Sequence, residues 1–319
     1  MATPRDPQTA TGRPLLIINP KAGGGLGEKR AARVIAAVAT GLGEVDVRYT
    51  DAQGHASEIA REEALAGRGL LVAVGGDGTV SEIANGLLHA VAEGAPMPEL
   101  GIVPRGTGGD FRRTLDLPLD VVEAASHIRE RAARAVDAGR ATYTTATGAT
   151  ETRHFVNVAS FGFSSTVASR ANESSKAFGP KAAYLGATIR TLVGYENQEI
   201  ELQLDDAAPF RRTLLLGAVG NGRYFGGGMQ ICPEAALDSG KFSFVAVGDM
   251  GKLKVVRNLN RLFKGTHLAL EEVASTPARL VRARPVAPGK IIPVELDGES
   301  PGRLPATFEV LPFALRIRY

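Results

Sequence analysis

The chain has 319 residues, of which 44% are hydrophobic, and a formal net charge of +3. This length suggests two domains, the nearly neutral charge argues against a dedicated nucleic-acid-binding protein, and no apolar run approaches the roughly 18–20 residues that cross a bilayer. The single cysteine leaves no intramolecular disulfide framework, and residues 1–13 lack the apolar core of a signal peptide and are predicted to be a disordered tail. We therefore expect a cytoplasmic protein.

Three buried-strand patterns in the first part of the chain each lead into a glycine-rich loop. The apolar runs at residues 15–18, 70–74 and 100–103 precede Asn-Pro-Lys-Ala-Gly-Gly-Gly, Gly-Gly-Asp-Gly-Thr and Pro-Arg-Gly-Thr-Gly-Gly-Asp, respectively. Apolar residues at helical spacing follow the first two loops. This alternation predicts a doubly wound α/β domain over residues 14–137, in which the loops at the carboxyl ends of the strands converge on one crevice.

The second loop, residues 75–79, suggests a phosphate site. Its glycines let the backbone approach a ligand, and the predicted helix after it offers N–H groups and a partial positive charge to phosphate oxygens. Thr79 and Glu82, three residues apart, predict a capping box at the helix start. Asp77 would repel phosphate unless Mg²⁺, a ribose or water lies between them. The loop thus predicts a nucleotide polyphosphate site, and a tight turn that merely requires glycine is the alternative.

Beyond residue 137 the hydrophobic period shifts towards two. Residues 200–205 alternate apolar and polar side chains, which predicts strands of an antiparallel, β-sandwich-like domain over residues 138–305. Helical spacing interrupts this pattern at residues 181–193 and 252–263. The second helix region has five basic and no acidic residues between Lys252 and Lys264. It is predicted either to rest on an anionic membrane or to pack on its own domain with a solvated basic face.

The ordered motifs resemble the diacylglycerol kinase catalytic-domain family, which includes bacterial lipid kinases and is related to the sphingosine and ceramide kinases. The three glycine-rich loops are similar to the motifs of its first domain. Gly-Asn-Gly-Arg-Tyr-Phe-Gly-Gly-Gly-Met at residues 220–229, Cys-Pro-Glu-Ala at 232–235 and Leu-Asp-Gly-Glu at 296–299 are similar to those of its second. The chain contains neither a Walker A loop nor the protein-kinase signature set.

The resemblance implies an ATP- and Mg²⁺-dependent lipid kinase that phosphorylates a lipid hydroxyl such as that of diacylglycerol. It implies an active site in the cleft between the domains, a return of residues 306–319 to the first domain, and peripheral contact with the inner face of the membrane. Glu299 is the implied catalytic base, Asp297 orients or assists it (the reverse assignment stays open), and Asp77 is the third catalytic residue. The implied nucleotide-binding residues are Asn19, Thr50, Gly75, Gly76, Asp77, Gly78, Thr79, Val80, Ser81, Thr107, Asp110 and Arg113. The candidate metal ligands are Asp77, Asp110 and Asp238.

Two positions depart from the family pattern. Gly109 stands where the family loop has Asn. Ser239 stands where bacterial members hold a structural Mg²⁺ with a carboxylate, so a hydroxyl replaces that ligand unless Asp238 substitutes by a one-residue shift. These departures favour a second hypothesis, a non-catalytic nucleotide-binding regulator, whereas the retained acidic residues count against it. A third hypothesis, a kinase of a soluble acceptor such as NAD, is disfavoured by the Asn-Pro-x-Ala-Gly-Gly and Pro-Glu-Ala motifs.

Overall fold

The computed structural model describes residues 12–25, 28–106, 108–167 and 190–319. The described chain divides into two compact units, one formed by the residues up to Val136 together with Phe313–Tyr319 and the other by Asp137–Pro312. Residues 1–11 of the predicted tail lie outside the described residues, as do Thr107 and most of the predicted helix at 181–193.

The first unit is built on a parallel sheet. Its elements are β1 (Leu15–Ile18), α1 (Glu28–Leu42), β2 (Asp46–Tyr49), α2 (His55–Leu65), β3 (Leu70–Gly75), α3 (Asp77–Ala92), β4 (Glu99–Pro104), α4 (Asp110–Thr114), α5 (Val121–Glu130) and the C-terminal part of β14 (Glu299–Arg318). The strands lie in the order β2-β1-β3-β4-β14, and all four pairings are parallel. In β14, residues 316–318 pair with residues 99–101 of β4.

Helices cover both faces of this sheet, which explains why its strands are continuous apolar runs. Side chains of α1 and α5 pack on one face, against Leu16, Val72 and Val74. The alternate residues Ile17 and Leu71 are also fully buried, and α2 and α3 contact β1 and β3. The predicted doubly wound α/β architecture is confirmed.

The second unit is an antiparallel β structure. Its elements are β5 (Arg134–Thr144), β6 (Thr150–Phe155), β7 (Val158–Gly162), β8 (Gln198–Leu204), β9 (Phe210–Gly220), β10 (Phe242–Gly248), α6 (Lys252–Lys264), β11 (Val273–Ala278), β12 (Leu280–Pro285), β13 (Pro293–Leu296) and the first part of β14. Pairings run β9-β7-β13-β14-β12-β8 and return from β8 to β9, so six strands close into a ring, an arrangement that leaves no free edge among them. The predicted sandwich-like class is confirmed.

Aromatic side chains form part of the larger apolar core of this unit. Phe155 stacks on Phe242 with ring centroids 5.5 Å apart, and Phe161 stacks on Phe308 at 6.1 Å. A second apolar cluster lies under α6 and includes side chains of β9, β10 and β11. None of the described helices is long and apolar enough to cross a bilayer.

Candidate active site

The three glycine-rich loops of the first unit lie together at the carboxyl ends of β1, β3 and β4. Asn19 Nδ2 donates a hydrogen bond to Thr79 Oγ1 at 3.3 Å, which links the first loop to the second. A Cβ atom on Gly106 would lie 2.5 Å from the Cα atom of Gly76, which no side chain could accommodate without a shift. These glycines are therefore needed for close packing of one loop against another.

Helix α3 begins three residues earlier than the predicted capping box requires. Gly76 is its N-cap residue, and no side chain caps it. The predicted box is wrong because Thr79 lies inside the first turn, and Glu82 instead accepts a hydrogen bond from a backbone N–H of α2 at 3.2 Å. The first N–H groups of a helix have no intrahelical acceptor, and a Cβ on Gly78 would meet no atom within 4 Å. The start of α3 thus has the donors and the open space that suit a phosphate group.

The Asp77 carboxylate connects the second loop to the third. It accepts hydrogen bonds from the backbone N–H groups of Asp110 at 3.0 Å and Phe111 at 3.1 Å, the first two residues of α4. Arg113 pairs with Asp110 at 2.9 Å and also donates to the carbonyl oxygen of Gly108. Asp77 and Arg113 therefore hold the loop in place, in addition to any contact they make with a ligand.

Gly109, where the family has Asn, has a backbone explanation. It is the N-cap residue of α4 with φ of +63° and ψ of +37°. Glycine adopts this left-handed conformation without steric cost, and asparagine is one of the few other residues that tolerate it. Glycine therefore preserves the loop conformation while removing the amide side chain.

The other predicted nucleotide-binding residues differ in how much they offer a ligand. Thr50 directly follows β2, is 6% exposed, and donates its backbone N–H to Ile18 at 2.9 Å. Thr79, Val80 and Ser81 belong to α3 and their side chains are buried. Only their backbone groups are therefore candidates for contact with a nucleotide. Thr107 lies outside the described residues.

The acidic residues do not form a metal site of their own. The part of the chain that the structure describes contains no group of three or more His, Cys, Asp and Glu side chains that could hold a metal ion. Both oxygens of Asp77 accept backbone hydrogen bonds, and Asp110 is paired with Arg113. The residues present therefore do not fit a Mg²⁺ site built from protein ligands alone.

The turn after Asp238 is held by hydrogen bonds. Ser239 Oγ lies 3.0 Å from the carbonyl oxygen of Ala236 and 2.8 Å from that of Lys241. The N–H of Gly240 donates to the Asp137 carboxylate at 2.6 Å. The serine hydroxyl thus ties the turn to its own backbone, which accounts for an ordered turn with serine at this position.

The predicted catalytic carboxylates of the second unit lie at the tight turn between β13 and β14. Leu296 pairs with Glu299 across this turn, and the two residues between them, Asp297 and Gly298, have φ of +49° and +92°. Positive φ at both central residues is the requirement of a type I′ hairpin turn, for which Asp-Gly is a preferred sequence. The Asp-Gly pair is therefore explained by the hairpin.

Asp297 and Glu299 have different surroundings. The Asp297 carboxylate accepts three backbone hydrogen bonds, from Val156 at 2.8 Å, Asn157 at 3.0 Å and Val158 at 3.1 Å, and so anchors the chain between β6 and β7. Glu299 forms an ion pair with Arg153 at 2.6 Å, and its side chain is 27% exposed. Asp297 has the geometry of a positioning residue, whereas Glu299 can be reached from solvent.

An apolar cavity of about 70 Å³ lies in the second unit. Side chains from β9, β10, α6 and the helical residues 163–167 form its wall, together with His267. The lining residues are Phe163, Ser164, Val167, Leu215, Leu216, Phe225, Met229, Val247, Met250, Val255, Asn258, Leu259, Leu262, His267, Leu270 and Val273. A predominantly apolar wall with a few polar groups is typical of small-molecule sites.

Two polar groups of the cavity wall were not predicted from the sequence. Ser164 donates to Ser160 Oγ at 3.0 Å, and Ser160 donates to the buried Glu295 carboxylate at 2.8 Å. His267 Nε2 lies 3.0 Å from the Ile231 carbonyl oxygen and must carry the proton, while Nδ1 has no hydrogen-bond partner among the described residues. Burial is the main influence on the His267 pKa and lowers it, so the ring offers an acceptor.

No pattern in the sequence separates these residues from ordinary core positions. Glu295 lies between Val294 and Leu296 on β13, and all three residues are buried. Alternation of apolar and polar residues would instead place Glu295 on an exposed face of the strand. Its partner Ser160 is 135 positions away in the chain.

Comparison with known proteins identifies the family. The model for the diacylglycerol kinase catalytic domain matches residues 13–141, and that for the YegS C-terminal NAD kinase beta sandwich-like domain matches residues 157–319. The chain is 34% identical to a Xanthomonas euvesicatoria protein named "Probable lipid kinase YegS-like", over 86% of each chain. It is 31% identical to a diacylglycerol kinase of Mycobacterium tuberculosis, over 96% of this chain and 94% of that one.

A crystal structure of a diacylglycerol kinase from Bacillus anthracis superposes with a TM-score of 0.72 and 25% identity, and the match covers 96% of both chains. Two adjacent family models, relatives above 30% identity and this structural match all indicate the same group of enzymes. The chain belongs to the diacylglycerol kinase catalytic-domain family of lipid kinases.

Proposed function

We propose that the protein transfers the γ-phosphoryl group of ATP to the hydroxyl of a membrane lipid, with diacylglycerol or a related lipid alcohol as the leading acceptor. The apolar cavity of the second unit is the observation that carries this proposal. A cluster of glycine-rich loops suits many nucleotide-binding proteins, whereas a cavity with an almost wholly apolar wall suits an acyl chain.

The nucleotide is assigned to the loops of the first unit. Phosphoryl transfer requires that the terminal phosphate be held and its charge offset. The N–H groups at the start of α3 supply donors for phosphate oxygens. Asn19, which contacts Thr79 of α3, and Thr50 directly follow β1 and β2 at the same edge of the sheet. Lys21 is exposed on the first loop and supplies positive charge. We propose that any Mg²⁺ ion needed for the reaction arrives bound to ATP, because Mg²⁺ commonly binds one or two carboxylates together with substrate phosphates.

The lipid is assigned to the cavity of the second unit. Burial of each methylene group contributes about 0.8 kcal/mol, so an acyl chain gains most of its affinity from the apolar wall. Ser164 Oγ and His267 Nδ1 retain acceptor capacity and favour a ligand that carries a hydrogen-bond donor. Such a substrate resides in a membrane, and we therefore propose a cytoplasmic enzyme in peripheral contact with the inner face of the bilayer.

Glu299 is the proposed general base. A hydroxyl is a weak nucleophile at neutral pH, and a positioned carboxylate that accepts its proton contributes typically 10²–10⁴-fold. Asp297 keeps the turn in place through its three backbone hydrogen bonds, so the chain positions Glu299 through a rigid hairpin. Arg153 holds the Glu299 carboxylate in one orientation.

A second candidate function is a nucleotide-binding regulator without catalytic activity. Two observations favour it. Asp77 accepts backbone hydrogen bonds and Asp110 pairs with Arg113. The described residues contain no group of three or more His, Cys, Asp and Glu side chains that could hold a metal ion. This candidate predicts ATP binding with no phosphorylated product from any acceptor.

A cavity-filling variant tests the proposed lipid site. Val247→Trp places a large ring among the lining side chains and should raise the KM for a long-chain diacylglycerol by roughly fourfold per methylene displaced, since 0.8 kcal/mol corresponds to that factor. The KM for ATP should not change. Val122→Trp, at a position that is 60% exposed in the first unit, is the matched control and should leave both constants unchanged. Equal acceptor KM values in a folded Val247→Trp protein would contradict the assignment.

A further inference from the structure

Helix α6 has two different faces. Val255, Leu259 and Leu262 point into the second unit and line the apolar cavity. On the other side Leu253 is 62% exposed and Phe263 is 44% exposed. A helix that merely covers a core carries polar residues on its outer face. The exposed apolar side chains of α6 are therefore not explained by the folding of its own unit.

The outer face of α6 is also strongly cationic. Arg257, Arg261 and Lys264 are exposed, and their side chains make no ion pair or hydrogen bond with any other described residue. The other two basic residues of the helix are engaged, because Lys254 pairs with Glu272 and Lys252 donates a hydrogen bond to the carbonyl oxygen of Val193. The helix itself contains no acidic residue. Three unneutralised cations beside exposed apolar groups complement a surface that offers negative charge outside and hydrocarbon beneath.

We propose that this outer face of α6 is the docking surface of the protein for an anionic phospholipid bilayer. The surface is defined by Leu253, Val256 and Phe263 as the inserting residues and by Arg257, Arg261 and Lys264 as the phosphate-binding residues. The arginine and lysine heads meet lipid phosphates, while the apolar side chains enter the boundary between head groups and acyl chains. This inference rests on the proposed lipid kinase function, since it assigns the surface through which that enzyme meets its substrate.

The position of α6 gives this docking a consequence for substrate loading. One face of the helix contacts the bilayer and the opposite face forms part of the cavity wall. The cavity therefore lies about one helix diameter, about 10 Å, from the bilayer surface. The polar atoms of Ser164 and His267 lie in the same cavity wall. Docking through α6 thus brings the cavity next to the hydrocarbon from which the lipid is taken.

Vesicle flotation with the full chain tests the docking surface independently of catalysis. The vesicles consist of phosphatidylcholine alone or of equimolar phosphatidylcholine and phosphatidylglycerol. The double variant Arg257→Gln/Arg261→Gln should bind the anionic vesicles about 30-fold more weakly than the parent, because each cation near an anionic surface contributes about 1 kcal/mol. The matched control Arg279→Gln/Lys290→Gln removes the same charge from exposed positions outside α6 and should bind as the parent does.

The apolar part of the surface has its own variant and readout. Leu253→Ser/Phe263→Ser should also weaken binding, but the remaining binding should keep its dependence on salt, whereas the arginine variant should lose most of it. Activity on detergent-dispersed diacylglycerol should stay unchanged in every variant. Parent-like flotation of both α6 variants would overturn the docking proposal while leaving the kinase assignment intact. Loss of flotation together with no activity of the parent on any lipid would instead contradict the proposed function.

Discussion

Replacement of Asp77 by alanine should reduce both stability and activity, because Asp77 belongs to the proposed phosphate loop and its carboxylate also caps α4. It accepts hydrogen bonds from Asp110 and Phe111 at 3.0 and 3.1 Å. Hydrogen bonds to charged groups contribute about 1.5–3 kcal/mol, and loss of a helix cap costs about 0.5–2 kcal/mol. We expect Asp77→Ala to lower the free energy of unfolding by about 2–3 kcal/mol, measured by urea denaturation followed by circular dichroism.

Asp120 provides an internal control for this prediction. Its carboxylate caps α5 by accepting from Val122 and Glu123, both at 3.0 Å, but it is exposed and lies outside the glycine-rich loops. Asp120→Ala should cost about 1 kcal/mol of stability and leave ATP turnover unchanged, whereas Asp77→Ala should abolish turnover at temperatures where it is still folded. Parent-like stability of Asp77→Ala would refute the capping role, and parent-like turnover would refute the phosphate-loop assignment.

Three further predictions concern the second unit. Glu299→Gln should lower kcat by about 10²–10⁴-fold with ATP affinity unchanged; a weakened ATP affinity with kcat preserved would make Glu299 a binding residue. Asp297→Ala should lower the free energy of unfolding by about 2–4 kcal/mol, since three backbone donors lose their acceptor, and thermal denaturation at parent-like temperature would contradict this. Burial lowers the pKa of His267 below its ordinary value of 6.5. The neutral His267 therefore stabilises the fold fully above pH 6.5, and this stabilisation is lost as the pH falls from 6.5 towards the pKa in the folded state. In urea denaturation, His267→Gln should lose less stability than the parent over that pH window.

The strands of the first unit were predictable because their sequence pattern is unambiguous. Both faces of the parallel sheet are covered, so β1, β3 and β4 are continuous apolar runs bounded by glycine loops. The convergence of those loops followed from the rule for carboxyl ends of parallel strands. The sequence could not show that Asp77 caps α4, because this contact joins residues 33 positions apart and the carboxylate has no local signature of a cap.

The second unit was predictable only as a class. Short alternating strands indicate antiparallel pairing but do not specify partners, so the closure of six strands into a ring was not foreseen. The last segment is one strand, Glu299–Arg318, although Ser300-Pro301-Gly302 is typical of a loop. The cavity was also hidden, since its wall consists of apolar side chains from separate parts of the chain that resemble core residues in every local respect.

Transfer of radioactive phosphate from γ-labelled ATP is the most direct test of the proposed lipid kinase activity. The parent protein is incubated with labelled ATP and Mg²⁺ in separate reactions with diacylglycerol vesicles, with vesicles of other lipid alcohols, and with NAD. If the protein is a lipid kinase, label enters the organic phase from at least one lipid and none enters the phosphorylated dinucleotide. Bound ATP with no labelled lipid, or label that appears only in the product from NAD, would contradict this activity.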